Sequence, residues 1–203
     1  MRQIALPLRA GPDEGAARIV VGSANAGVVE ALGRPESWPF GTAVLAGPPR
    51  SGKSLLARWF AGQGKGEAID DADKLDETEL FHRWNRAQER GTPLLLIVRG
   101  QSWEIALPDL RSRVGAALHL VIGVPDDAMV SALIEAHAEQ RGLALGEGAV
   151  AYLTSRVERS FAGIERLVAA IDRISLERKQ AATMAVWRDA LEAVQGAAQP
   201  RLF

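Results

Sequence analysis

The sequence predicts an α/β protein in two parts, a base built on a parallel sheet followed by an all-helical subdomain. Three observations predict it. Short apolar runs alternate with amphipathic stretches between residues 18 and 123, the pattern of right-handed βαβ units. A glycine-rich segment joins one of those runs to a helical stretch. After Pro125 the apolar runs stop and only helical patterns follow. The expected division is an N-terminal peptide and linker (1–17), the α/β base (18–123) and the helical subdomain (124–203).

In chain order, Gly11-Pro12-Asp13-Glu14-Gly15 reads as a connector. Arg18-Ile19-Val20-Val21 reads as a short strand, and Gly27 to Leu32 as a short helix. Thr42-Ala43-Val44-Leu45-Ala46 is an apolar run ending in glycine, as expected of a buried strand. Ser54 to Phe60 has helical character and stops at Gly62. Ala68-Ile69-Asp70-Asp71 is a weak strand with two apolar residues. Glu77 to Arg90 is amphipathic, with Leu80, Phe81, Trp84 and Ala87 on one face. Leu94 to Val98 and Leu118 to Ile122 complete the strands. Asp126 to Arg141, Glu147 to Arg156, Phe161 to Lys179 and Ala185 to Val194 read as four helices.

Composition narrows the function classes. Of 203 residues, 47% are hydrophobic and 24% charged, with a net charge of −1, so any contact with nucleic acid is expected to be local or indirect. There is no cysteine, which excludes disulfides, thiolate metal sites and cysteine nucleophiles, and fits a cytoplasmic protein. No apolar run is long enough to span a bilayer, so no membrane partner is expected.

Gly47-Pro48-Pro49-Arg50-Ser51-Gly52-Lys53-Ser54 matches G-x-x-x-x-G-K-[ST] in full. Its backbone N–H groups are expected to cradle phosphates, with Lys53 on the β/γ-phosphates and Ser54 on Mg²⁺. The helix that continues through Leu55 adds its positive end. The implied cofactors are ADP or ATP, with Mg²⁺. Asp70 is the candidate second metal ligand, and Asp71 the candidate for polarising a water. The alternative is a solvated turn, since Asp73, Asp76, Glu77 and Glu79 extend the acidic run. Arg111 and Arg113, between two strands, read either as surface cations or as a finger reaching a neighbour's nucleotide. Trp38, Trp59, Trp84, Trp103 and Trp187 read as core or interdomain packing, with Trp38-Pro39-Phe40 as an alternative adenine contact. At the N-terminus Ile4, Leu6 and Leu8 alternate as in a half-buried strand.

With these parts in order, the chain resembles the DnaA/Hda branch of the AAA+ ATPases. Ile19 to Asn25 looks like the opening segment of the DnaA-type nucleotide domain, and Ile69-Asp70-Asp71 has the form of its Walker B motif. Leu107-Pro108-Asp109-Leu110-Arg111-Ser112-Arg113 is similar to the arginine-finger box, which makes Arg113 the finger, acting in trans. The helical half corresponds to the AAA+ lid. Gln3-Ile4-Ala5-Leu6-Pro7-Leu8 resembles the peptide by which Hda binds the sliding clamp of the replicative polymerase, with Gln3, Ile4, Leu6, Pro7 and Leu8 as its contacts. The resemblance implies a regulator that holds ADP, docks on the clamp and stimulates hydrolysis of DnaA-bound ATP, meeting DNA only through its partners.

The sequence also departs from that family. About fifteen residues separate Ser54 from Asp70, where the family has a helix, a strand and another helix. The polar sensor position after Val98 offers Arg99, Gln101 or Ser102. In the lid, Glu165 stands where a sensor arginine is expected, with Arg166 one position later. These losses imply weak hydrolysis by the chain itself. Two other readings stay open: a helicase loader of the DnaC kind, and an autonomous P-loop ATPase or small kinase.

Overall fold

The computed structural model describes residues 5–6, 18–100 and 103–198. The chain divides into two compact units, one of Ala24–Gly123 and one joining the residues before Ala24 to those after Gly123. The second unit opens with an antiparallel pair, β1 (Ala5–Leu6) against β2 (Ile19–Val20), in register Ala5 with Val20 and Leu6 with Ile19. Ala5–Leu6 therefore adopts the strand pairing of the alternative reading. Gln3, Ile4, Pro7 and Leu8 lie outside the described residues.

The Ala24–Gly123 unit begins with α1 (Ala26–Gly33) and then alternates strands and helices. These are β3 (Thr42–Ala46), α2 (Lys53–Gly62), β4 (Glu67–Ile69), α3 (Glu77–Glu89), β5 (Leu94–Ile97), α4 (Pro108–Gly115) and β6 (Leu118–Val121). The strands form one parallel sheet in the order β4-β5-β3-β6. Central β3 and β5 are buried at every position, which is why both read as continuous apolar runs. On one face Val44, Leu94 and Leu96 pack with Leu80 and Trp84 of α3 and Leu110 and Val114 of α4. The Thr42 hydroxyl, buried at the start of β3, donates to the Phe40 carbonyl and accepts from Trp84 Nε1, both at 3.0 Å. That satisfies the polar group inside the core.

Between α2 and β4 there are only the residues Gln63 to Gly66, and no strand. The short spacing read in the sequence thus leaves a four-stranded sheet with β4 at its edge. Gly66 is required there: a Cβ would stand 2.3 Å from the Pro93 carbonyl oxygen, which is backbone. Trp38 follows the packing reading, not the alternative adenine contact. Trp38 is buried, stacks on Phe60 at 5.2 Å and donates to the Ala31 carbonyl. Phe40 precedes β3 and so lies at the end opposite the phosphate loop.

The helices of the other unit are α5 (Asp127–Gln140), α6 (Ala149–Thr154), α7 (Phe161–Arg178) and α8 (Met184–Ala198). Helix α7 is its centre. Ile164, Leu167, Val168, Ile171 and Ile174 recur at helical spacing and bury against Val130, Ile134, Leu153, Val186 and Leu191. Side-chain oxygens of Asp126 and Ser160 cap α5 and α7, accepting from Met129 N and Gly163 N. Strand β2 groups with these helices, and Ile19 is buried. Among the described residues no helix is long and apolar enough to cross a membrane.

Candidate functional site

Because all four strands of the sheet run parallel, Gly47, Asp70 and Arg99 follow β3, β4 and β5 at one common edge. The carboxyl edge is where ligands bind on open α/β sheets. Gly47 has no room for a side chain: a Cβ would lie 2.9 Å from Ile122 and 3.2 Å from Ser51 Oγ. Arg50 and Gly52 have φ of 64° and 85°, which turn the chain into α2. Helix α2 has no side-chain cap, so its first N–H groups are left for a ligand or solvent. Pro48 and Pro49 form the turn, Ser51 is buried with an unpartnered Oγ, and Ser54 is exposed in the first turn ahead of Leu55.

Lys53 folds back over the loop, with Nζ donating to the carbonyls of Gly47 at 2.7 Å and Pro48 at 3.1 Å. Burial holds its pKa below the ordinary lysine value, and the charges of Asp70, Asp71 and Asp73 oppose that shift. Lysine and acids therefore share one electrostatic site, which sequence spacing alone left open.

The two candidate acids differ. Asp70 is exposed and uses Oδ1 to accept the N–H of Asp71, and no cation among the described residues is paired with it. Asp71 has a φ of 49°, and its carboxylate bonds Lys74 at 2.5 Å with Arg99 at 4.0 Å. The Lys74 hydrogen bond, helped by the Lys74 and Arg99 charges, holds Asp71 below the usual carboxylate range. Arg99 also approaches Asp73 at 3.5 Å. Ser54 and Asp70 are the side chains that could hold a Mg²⁺ carried by nucleotide phosphates, an ion that needs only one or two protein ligands. Asp71, ion-paired and weakly basic, is poorly suited to taking a proton from water. The sequence reading missed Lys74 and the pairing of Arg99. Their only signal was a lysine three residues beyond Asp71 at the end of a short 3₁₀ turn.

Arg113 stands on α4 and has no carboxylate within ion-pair distance among the described residues. Its guanidinium lies 4.2 Å from the ring centre of Trp84 and 5.3 Å from that of Phe81. It makes no ion pair or hydrogen bond among the described residues, whereas its neighbour Arg111 is exposed on the same helix. In the helical unit, Arg166 is paired with Glu158 at 3.3 Å. Gln101 and Ser102 lie outside the described residues.

Residues 126–191 match the family described as Hda, lid domain. Among solved structures, domain III of the Thermotoga maritima replication initiation protein DnaA superposes with a TM-score of 0.71 and 15% identity, over 87% of this chain and 94% of that one. Residues 126–191 are thus an Hda-type lid segment, and the chain shares its fold with domain III of DnaA. AMPPCP-bound DnaA from Aquifex aeolicus gives a TM-score of 0.57 at 18% identity, over 79% of this chain and 66% of that one. The Thermotoga maritima RuvB Holliday junction branch migration motor gives 0.61 at 18%, over 85% and 70%. No curated protein matches the sequence. The fold is that of the AAA+ proteins, a parallel-sheet base with a helical lid.

Proposed function

We propose that the chain is an Hda-like regulator of replication initiation. It holds ADP on the loop Gly47–Ser54, docks on the polymerase sliding clamp through Gln3–Leu8, and supplies Arg113 in trans to ATP bound by DnaA. The observation that carries this reading is an Hda-type lid on the same chain as a complete phosphate loop and an arginine without a carboxylate partner among the described residues. The loop N–H groups and Lys53 bind the phosphates. Ser54 and Asp70 would hold Mg²⁺, which neutralises phosphate charge. Arg113 stabilises the charge that develops on a phosphoryl group in transfer, an effect of about 10³–10⁵ in rate for arginine fingers. With Asp71 tied to Lys74 and Arg99, hydrolysis by the chain itself is expected to be slow.

The test is phosphate release from ATP-loaded DnaA, with and without the chain, in the presence of clamp loaded on DNA. Stimulation by wild type and none by Arg113→Ala is the expected result. Fast ATP turnover by the isolated chain would overturn the regulator reading in favour of an autonomous ATPase. Clamp binding that persists in Gln3→Ala/Leu6→Ala would remove the role given to the N-terminal peptide, leaving a loader-type reading.

A further inference from the structure

Arg113 is unusual in how firmly it is held without a charged partner. Helix α4 is pinned at its start by Glu77, whose carboxylate accepts Ala106 N at 2.9 Å and Leu107 N at 2.6 Å. Leu110 and Val114 bury one side of the helix. The guanidinium then lies over Trp84, a ring that is itself fixed. Trp84 is only 5% exposed, and its Nε1 is bonded to Thr42 on β3. Turning that ring would break a buried hydrogen bond.

The orientation of the guanidinium follows from its nitrogens. Arg113 Nε is buried and has no hydrogen-bond partner, so the donors left for solvent are the two terminal amino groups. Those form the fork that grips two oxygens of one phosphate. A free surface arginine must lose rotamer freedom to make that contact. Stacking on an aromatic face, favourable in itself, removes part of that loss beforehand.

We propose that Trp84 is a positioning residue for Arg113, holding the guanidinium over its ring so that the terminal amino groups are presented to a phosphate carried by a partner protein. This rests on the reading of Arg113 as an arginine acting in trans. The target class is the triphosphate of a nucleotide bound to another chain.

The experiment uses the full chain with ADP, clamp-loaded DNA and ATP-loaded DnaA, and reads two quantities. These are the maximal rate of phosphate release at saturating chain, and the chain concentration giving half that rate. Trp84→Phe keeps a ring but loses the Nε1 bond to Thr42, and is expected to lower the maximal rate several-fold. Trp84→Leu removes it and is expected to lower the maximal rate roughly 10–100-fold, as small misplacements of catalytic groups do, with half-saturation little changed. Should Trp84→Leu not fold, Thr42→Val replaces it: the freed ring is expected to lower the maximal rate several-fold. A folded Trp84→Leu, or Thr42→Val in its place, with wild-type maximal rate overturns the proposal. So does a Trp84→Phe as defective as Trp84→Leu. Arg113→Ala that still stimulates overturns the reading of Arg113 itself, whatever Trp84 does.

Discussion

Lys53 closes its own loop, and that contact sets what a ligand must replace. Its ammonium satisfies the carbonyls of Gly47 and Pro48, and incoming phosphate oxygens would exchange those bonds for charge-assisted ones, which are stronger. Lys53→Ala should leave the nucleotide-free protein folded while removing its response to ADP. At 100 times its dissociation constant a ligand stabilises by about 2.7 kcal/mol, which for a chain of this size raises the melting temperature by roughly 5–10 °C. Thermal melts with and without ADP measure this, and an undiminished ADP shift in Lys53→Ala would refute the assignment. At this scale the sequence was legible wherever a motif fixes backbone and side chain together, as in Gly47 to Ser54. It was not legible for Lys74, Arg99 and Trp84. The pairing of Lys74 with Asp71 depends on a positive φ at Asp71. The stacking of Arg113 depends on two helices coming together. Neither is written in local spacing.

Elements with strong periodicity, such as α3 and α7, could be read directly, because burying one stripe is what makes those helices stable. Helix α4 could not: it is short and buries only Leu110 and Val114. Strand β4 read weakly for a similar reason, since Ile69 is its one buried residue. Caps carry a testable consequence at this scale. Asp126 accepts Met129 N at 2.8 Å at the start of α5. That backbone bond, joined by one from the Ser23 side chain, holds Asp126 below its ordinary value of 3.8. A carboxylate with a depressed folded pKa contributes stability above the unfolded value, and loses it as pH falls through the folded value. Thermal stability should therefore drop below about pH 3.8 through the loss of this cap, and Asp126→Asn, which still caps but does not titrate, should show a shallower drop. Parallel melts between pH 5 and pH 2.5 compare the two. Identical pH profiles would show that the cap charge contributes nothing.

For the molecule as a whole, the phosphate loop and Arg113 both belong to the base, whereas the peptide read as a clamp ligand begins the chain and shares residues with a strand. Ala5–Leu6 pairs antiparallel with Ile19–Val20, and a groove that takes Gln3 to Leu8 in extended form needs those same two residues. The two uses compete for one backbone. The competition is mild, because a pair of two-residue strands has few hydrogen bonds, each contributing about 0.5–1.5 kcal/mol net, so a clamp of ordinary micromolar affinity (about 8 kcal/mol) can displace it. Clamp binding should then expose the β2 backbone. Hydrogen exchange at the amides of Ile19 and Val20 is expected to speed up when clamp is added, and the increase should vanish in Gln3→Ala/Leu6→Ala, which cannot bind. If exchange at Ile19 and Val20 stays unchanged while clamp is bound through Gln3 and Leu6, the strand pair and the clamp contact coexist and the competition is refuted. The expected increase, confined to the bound state, means that docking frees β2, whose Ile19 is buried in the same unit as α5 and α7.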